Sequence, residues 1–128
     1  NIEVIIIKLI TAISIFNVWI LRCNKKTQYR GGNAKSLKEE FETYGLNSWF
    51  MYIIGSIKIG VSILFIISCF SEYSTIFDFY IFCGSSVMSL IMIGAILMHV
   101  KVNDPLKKSL PALTMLTLYS VIIFNYIL

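Results

Sequence analysis

Lys58 is the residue of this sequence whose position most clearly suggests chemistry, because its amine lies near the middle of an apolar run from Ser48 to Phe70. If this run is a membrane helix, placing a lysine at its centre costs about 2.5 to 3.5 kcal/mol, more than one hydrogen bond between helices returns, about 0.6 to 2 kcal/mol. We therefore predict that Lys58 faces the interior of a helix bundle, where the amine meets water, a carboxylate or carbonyls, or loses its proton.

Two polar residues are expected at the depth that the Lys58 amine reaches. Helical side chains lean toward the N-terminus of their helix, which brings this amine to the level of Asn17 and His99. His99 is the only histidine, so it cannot build a metal site alone, and we predict no metal. It is either a hydrogen-bonded histidine at the membrane interface or a wall of a cavity beside Lys58. Asp104 follows in a turn before Pro105.

The elements that must hold these residues are apolar segments of membrane-spanning length. Of the 128 residues, 57% are hydrophobic and only 14% are charged, and the mean hydropathy is +0.78. A span needs about 20 apolar residues, and a helix satisfies its own backbone in lipid. We predict one all-α membrane domain, a bundle of helices at about 2–21, 48–70, 75–100 and 110–128.

The first span could be read as a signal peptide, since Lys8 precedes an apolar run. No small-residue cleavage site follows and the run is too long for a signal, so we expect a mature helix.

The basic residues predict the orientation of the bundle. All Lys and Arg residues except Lys8 and Lys58 fall in or beside the first and third connections, and the second connection, SEYST, has none. By the positive-inside rule, the first and third connections face the cytoplasm and both termini lie outside. Orientation and contact with anionic lipid account for these basic residues, so we expect no nucleic-acid partner.

A short amphipathic helix is predicted within the first connection, over about 36–45. Ser36 and Glu39 have the spacing of a capping box, and Gly45 suits the C-terminal cap. An apolar stripe, with Tyr44 as its last member, would lie against the bundle or the lipid at the membrane interface. Glu40 borders this stripe, so it faces either the mouth of the bundle or solvent.

Residues three and four positions apart predict the inward faces of the spans. Small residues on these faces let the helices approach closely, and weakly polar ones usually serve in packing. The predicted faces are Met51, Gly55, Lys58, Ser62, Phe65 and Cys69 in the second span, Ser85, Met88, Met92, Ala95 and His99 in the third, and Ser14 and Asn17 in the first.

Two runs of the sequence, YRGGNAKSLKEEFETYGLNSWFMYIIGSIKIG and MIGAILMHVKVNDPLKKSLPALTML, resemble the DoxX family of small four-helix bacterial membrane proteins. The patterns EEFxxYGL and MHVKVxDPxxKSLPA resemble its DoxX-like branch. One departure is Asn47, where the branch often has proline after YGL. The resemblance implies a four-helix fold in a bacterial inner membrane. It also implies that this chain has the polar residues typical of the branch. At the matching positions these are Arg30, Glu39, Glu40, Tyr44, Lys58, His99, Lys101, Asp104 and Pro105.

The broader group includes the small subunit of an archaeal thiosulfate:quinone oxidoreductase, and related eukaryotic proteins act as receptor-assembly or cargo factors. One hypothesis is therefore an accessory or binding protein whose cavity faces the cytoplasm and holds a quinone, a lipid headgroup or another small anion. Lys58 would supply the charge, and the further candidates are His99, Glu40, Tyr44, Arg30, Asp104, Asn17 and Ser62.

Enzymatic activity of the chain alone is not expected, because the sequence has no pair of histidines for haem, no flavin fingerprint and no CxxC. A role as accessory subunit of a membrane oxidoreductase stays open. The alternative function is an assembly factor or structural subunit whose helix faces bind a partner membrane protein or a second copy, with Lys58 paired to a carboxylate of that partner. A transporter is less favoured, since no broken helix or repeat is visible.

Overall fold

The computed structural model describes residues 2–70 and 75–127, apart from the side chains of Thr75 and Ile76. Most of the second connection, at 71–74, lies outside the described residues, as do Asn1 and Leu128. The elements are α1 (Ile2–Phe16), a π-helical segment (Asn17–Leu21), α2 (Leu37–Thr43), α3 (Ser48–Phe70), α4 (Thr75–Lys101), a 3-10 turn (Leu106–Ser109) and α5 (Leu110–Ile127). Within these ranges every regular element is helical, which confirms the predicted all-α fold.

Four stretches of the described chain have the length and hydropathy of membrane spans. They are Ile2–Leu21, Ser48–Phe70, Phe77–Lys101 and Leu106–Ile127. Large apolar side chains such as Phe70 and Leu90 point outward from the bundle, with 82% and 69% of their surface exposed. A soluble protein rarely exposes so much contiguous apolar surface, whereas a bilayer covers it.

The four long helices form a ring in which α1 lies along α3, and α4 lies along α5. The core between them is apolar, with Phe65, Ile81, Met88, Tyr119 and Ile122 almost completely buried. The predicted inward faces of α3 and α4 are confirmed, since Gly55, Ser62 and Phe65 are buried on α3 and Ser85, Met88, Met92 and His99 are buried on α4.

In the first span the residues predicted to face inward, Ser14 and Asn17, are half-buried, and another face of α1 is buried more deeply. Its buried residues include Val4, Lys8, Thr11 and Ile15, whereas Ser14 is only half-buried. These four residues have the spacing of a helix face, four, three and four positions apart. Selecting this face from the sequence requires Lys8 to lie inside the bundle. The Lys8 amine donates to the hydroxyl of Ser68 at 3.2 Å, so α1 carries a buried lysine that sequence reasoning missed.

The amphipathic helix forms as predicted, although it is shorter and spans Leu37–Thr43. The Ser36 hydroxyl accepts the backbone N–H of Glu39 at 3.2 Å, which is the expected N-terminal cap. At the other end Gly45 has a φ of +81°, and Leu46 donates its N–H to the Phe41 carbonyl. These are features of a Schellman cap. The apolar stripe ending at Tyr44 is buried against the bundle.

Candidate functional site

A cavity of about 1150 Å³ opens at the end of the bundle that carries the first and third connections, which we call the basic end. Its walls come from α1, the π-helical segment, α2, α3, α4 and α5. Six of the eight candidates predicted from the sequence line it, namely Asn17, Arg30, Glu40, Tyr44, Lys58 and His99. The structure thus brings six polar residues that are remote in sequence to one cavity at this end.

Lys58 lies half-buried on the cavity wall, with its amine over the ring of Trp19 at 4.7 Å from the ring centroid. In the part of the chain that the structure describes, this amine makes no hydrogen bond, and no carboxylate lies within 4.0 Å of it. A cation over an indole is stabilised by about 0.5 to 2 kcal/mol, depending on its solvation. The amine thus keeps its hydrogen-bonding capacity for something that enters the cavity.

Trp19 reaches this position because the first span changes its winding before its end. Residues Asn17–Leu21 form a π-helical turn, and such turns are often found at functional sites. The ring lies against Gly55 of α3, where a Cβ atom would come within 2.8 Å of the Trp19 Cε3 atom. Only a glycine at position 55 therefore allows the indole to lie this close to α3.

Aromatic rings continue from Trp19 along the mouth of the cavity. The centroids of Trp19 and Phe41 are 5.9 Å apart, and those of Phe41 and Tyr44 are 6.3 Å apart. Tyr44 then packs edge-on against His99 at 5.9 Å. Because these contacts join the first span, α2 and α4, α2 forms a lid of fixed position over one side of the cavity.

His99 belongs to a polar cluster that joins the two connections at the basic end, which we call the clasp (Gly32, His99, Asp104 and Lys108). Asp104 accepts a hydrogen bond from His99 Nδ1 at 2.7 Å and another from the Gly32 N–H at 3.0 Å. The Lys108 amine donates to the Gly32 carbonyl and lies 3.6 Å from the Asp104 carboxylate.

The clasp also sets the charge of Asp104. Burial alone would raise the pKa of Asp104, but the hydrogen bonds from His99 and Gly32 and the charge of Lys108 hold it below its ordinary value. Asp104 is thus an ionised structural residue. It lies beside His99 rather than among the residues that line the cavity.

Glu40 faces the mouth of the bundle, as one of its two predicted orientations required. Its carboxylate accepts the Gly31 N–H at 2.6 Å. Burial raises the pKa of Glu40 above its ordinary value, although this hydrogen bond and the nearby positive charges, Lys58 among them, oppose the rise. Steric contact also requires a glycine at position 31, since a Cβ atom there would overlap the ring of Tyr44.

Two other basic side chains near the mouth donate to backbone carbonyls. The Arg30 guanidinium donates to the carbonyls of Arg22 at 2.6 Å and Lys25 at 3.3 Å, so it closes the end of the π-helical segment. The Lys101 amine donates to the Tyr44 carbonyl at 2.8 Å. Burial, followed by the negative charges of Glu40 and Asp104, raises the pKa of Tyr44, so its phenol stays neutral. Lys58 differs from Arg30 and Lys101 in having no such backbone acceptor among the described residues.

Ser62 does not belong to the cavity, contrary to the sequence-based expectation. Its hydroxyl is buried in the bundle and donates to the Lys58 carbonyl at 2.8 Å, one turn earlier in the same helix. A serine in a helix can always donate to the carbonyl one turn earlier. Its spacing alone therefore cannot distinguish a serine that packs between helices from one that binds a ligand. Among the described residues no group of three or more His, Cys, Asp and Glu side chains could hold a metal.

The profile of the DoxX-like family matches residues 30–122. The chain belongs to the DoxX-like family. This DoxX-like protein is an integral membrane protein with several spans. Two observations support this, the family assignment and four apolar helices long enough to cross a membrane. No curated protein and no solved structure matches the chain.

The family match divides the site of this DoxX-like protein in two. Lys58, Glu40 and the clasp lie within the matched residues, whereas Asn17 and Trp19 precede them. Sequence reasoning named Lys58, Glu40 and Asn17, and His99 and Asp104 of the clasp. It missed Trp19, Gly32 and Lys108. The one signal for Trp19 is its place on the first span at the depth of Gly55, three residues before Lys58.

Proposed function

We propose that this DoxX-like protein is a binding protein of the membrane whose cavity holds a small molecule through an oxygen-bearing head, either a carboxylate or phosphate or the carbonyl of a quinone. The observation that carries the proposal is the Lys58 amine, which faces a cavity of about 1150 Å³ with an indole ring as its contact. A ligand oxygen would supply the acceptor that the described residues do not, while Trp19 flanks the head with an apolar face.

The charges around the cavity favour an anionic head. Lys58 lines the wall, and further cations, Arg22, Lys26 and Lys108 among them, lie toward the mouth. Glu40 is the acidic residue of the lining, and its carboxylate is already engaged by the Gly31 N–H. Most of the remaining lining is apolar, as in typical small-molecule sites, where a few polar groups orient the ligand.

The position of Trp19 beside Lys58 supplies a direct test. The chain has two tryptophans, so a Trp49→Phe background leaves Trp19 as the single indole reporter. We expect para-bromobenzoate, a carboxylate without a tail, or a tailless benzoquinone to quench Trp19 fluorescence saturably. In Lys58→Met the affinity should fall at least tenfold, since a hydrogen bond to a charged group contributes about 1.5 to 3 kcal/mol.

Lys38→Met is the matched control, because Lys38 is exposed on α2 and does not line the cavity. It should leave quenching unchanged. Quenching by the carboxylate alone would assign an anionic ligand, and quenching by the quinone alone would assign a carbonyl ligand. Absence of saturable quenching by both probes, or equal affinity in Lys58→Met, would overturn the proposal.

A further inference from the structure

The helices α3 and α4 are in close contact at one depth, and the side of α4 is uncovered at another. A Cβ atom at Gly84 would lie 3.2 Å from Val61 of α3, which is close contact. Ten residues nearer the basic end, a Cβ atom at Gly94 would meet no atom within 4 Å, although Gly94 lines the cavity. The side of α4 at Gly94 is therefore uncovered, and it forms one edge of a gap in the side of the bundle next to α3.

Apolar residues at this gap belong to the cavity wall and the outer surface at once. Ile57 of α3 and Val87 and Leu90 of α4 all line the cavity, yet 36%, 40% and 69% of their surfaces are exposed. Residues of a closed cavity would be buried. Their place on both the lining and the outer surface is consistent with a side opening of the cavity between α3 and α4, in addition to its mouth at the basic end.

The sideways opening lies at the depth of the hydrocarbon layer. Ile57 is nine residues from the start of α3 and Leu90 eleven residues from the end of α4, which places them roughly 14 to 16 Å from the basic end at a rise of about 1.5 Å per residue. A hydrocarbon core is about 30 Å thick, so this depth is near its middle. What meets the gap there is hydrocarbon rather than water.

We infer that the ligand of this cavity is an amphiphile drawn from the bilayer, whose oxygen-bearing head lies at Lys58 and whose hydrocarbon tail leaves through the gap between α3 and α4. The inference rests on the proposed function and adds the class of ligand and its route. Lys58, one residue from Ile57, lies at the inner end of the gap. A head at its amine therefore has a continuous apolar path for a tail, past Gly94 and Leu90, to the lipid.

The size and lining of the cavity agree with a tailed ligand. Its volume of about 1150 Å³ exceeds the roughly 300 to 1,000 Å³ of typical small-molecule sites. Cations toward the mouth and an apolar opening at mid-depth are the arrangement that an amphiphile with one charged end requires.

Closing the gap while leaving the mouth open tests the inference. We would reconstitute the Trp49→Phe protein and its Gly94→Phe derivative in nanodiscs of neutral phosphatidylcholine, with Trp19 quenched by para-bromobenzoate. Stearate should displace this probe from the parent protein. In Gly94→Phe the phenyl ring would occupy the gap, so stearate at the same mole fraction of lipid should displace the probe at least tenfold less well, after correction for the affinity of para-bromobenzoate measured in the same variant.

Gly60→Phe is the matched control, since Gly60 also has no atom within 4 Å of its Cβ position but does not line the cavity. Displacement of the probe by stearate in Gly60→Phe should equal that in the parent protein. Because stearate partitions equally into the lipid of both samples, a difference between the two variants reports on the protein alone. If Gly94→Phe fails to fold, Leu90→Phe replaces it and keeps Trp19 as the single indole, with Leu97→Phe as its exposed partner outside the cavity lining.

The two proposals fail differently in this experiment. Absence of saturable Trp19 quenching in the parent protein by both para-bromobenzoate and the tailless benzoquinone would overturn the proposed function itself. Where only the benzoquinone quenches, it serves as the probe and a long-chain quinone replaces stearate as the competitor. Normal binding of para-bromobenzoate, with stearate equally effective in the gap-closing and control variants, would overturn the tail route alone.

Discussion

At the scale of single residues, Lys58 is the group that makes this bundle less stable than its packing allows. Its cost at mid-membrane, about 2.5 to 3.5 kcal/mol on insertion scales, exceeds the contribution of a cation–π contact, about 0.5 to 2 kcal/mol. The described contacts supply only the Trp19 ring at 4.7 Å and the more distant charge of Glu40. A residue retained at such a cost is expected to serve binding rather than folding.

The first prediction follows from this imbalance. Lys58→Met keeps the length and apolar stem of the side chain and removes the charge, so the protein without ligand should become more stable by about 1 to 2 kcal/mol. A thermal melt in detergent would show a higher midpoint. Lys38→Met, on the exposed surface of α2, should stay within about 0.5 kcal/mol of the parent. A lower midpoint for Lys58→Met would mean that the amine has a stabilising partner.

The second prediction concerns Asp104 and acid. The folded-state pKa of Asp104 lies below its ordinary value of 3.8, so folding favours the ionised carboxylate. The stability that Asp104 adds is therefore complete above the unfolded value and is lost as the pH falls through the lower folded value. Asp104→Asn should cost about 1.5 to 3 kcal/mol at neutral pH and weaken this acid dependence. Melts across pH would show it, with the exposed Glu42→Gln as control.

Glu40 predicts a pH dependence of the opposite sign. Burial raises its folded-state pKa above the ordinary value of 4.5, so folding favours the protonated acid. The stability that it adds is present below pH 4.5 and is lost as the pH rises through the folded value. Glu40→Gln keeps an acceptor for the Gly31 N–H and cannot ionise, so its stability should not decline over that range. The same decline in the variant and the parent would rule out Glu40 as its source.

Whether the role of a single residue could be predicted from the sequence depended on whether its polarity differed from that of the residues around it. Lys58 conflicts with an apolar run, and its inward position followed from the cost of burial. Trp19 conflicts with nothing in a membrane span, so nothing local indicates that its ring lies under the amine. Asp104 resembles an ordinary turn residue, and its role appears only when folding brings Gly32, 72 positions earlier, to its carboxylate.

At the scale of elements, the features set by local chemistry were predictable. The Ser36 N-cap of α2 and its Gly45 cap involve residues three to five positions apart, and both are present. The π-helical turn at Asn17–Leu21 is different, because it depends on a close contact between Trp19 and another helix. Such a turn is less favourable than continued α-helix unless tertiary packing stabilises it.

Gly55 provides the prediction at this scale. In Gly55→Ala the added methyl group would lie within 2.8 Å of the indole, so the Trp19 ring must move away from α3 and from the Lys58 amine. We expect a loss of about 1 to 3 kcal/mol and a changed emission of Trp19 in the Trp49→Phe background. Gly60→Ala on the same helix has open space at its Cβ position and should gain about 0.5 to 1 kcal/mol. Equal effects of the two substitutions would contradict the packing argument.

At the scale of the whole molecule, the two ends of the bundle differ in kind. The basic end carries the cavity, the clasp and the lid formed by α2. Toward the opposite end the described residues pack more closely, with Gly84 against Val61 and the Tyr126 hydroxyl donating to Asp78 at 3.1 Å. Charge patterning indicated which end carries the polar residues. It could not indicate the gap between α3 and α4, which depends on how two helices cross.

The last prediction is that the basic end faces the cytoplasm, because its connections carry every Lys and Arg outside the interior of the spans. With the three native cysteines replaced by serine, Asn33→Cys places a thiol on the exposed first connection. In intact cells an impermeant maleimide should leave it unlabelled, and permeabilisation should expose it. Tyr73→Cys, in the second connection, should react in both preparations. The reverse pattern would mean that the cavity opens to the outside, and water-soluble anions would then reach Lys58 from there.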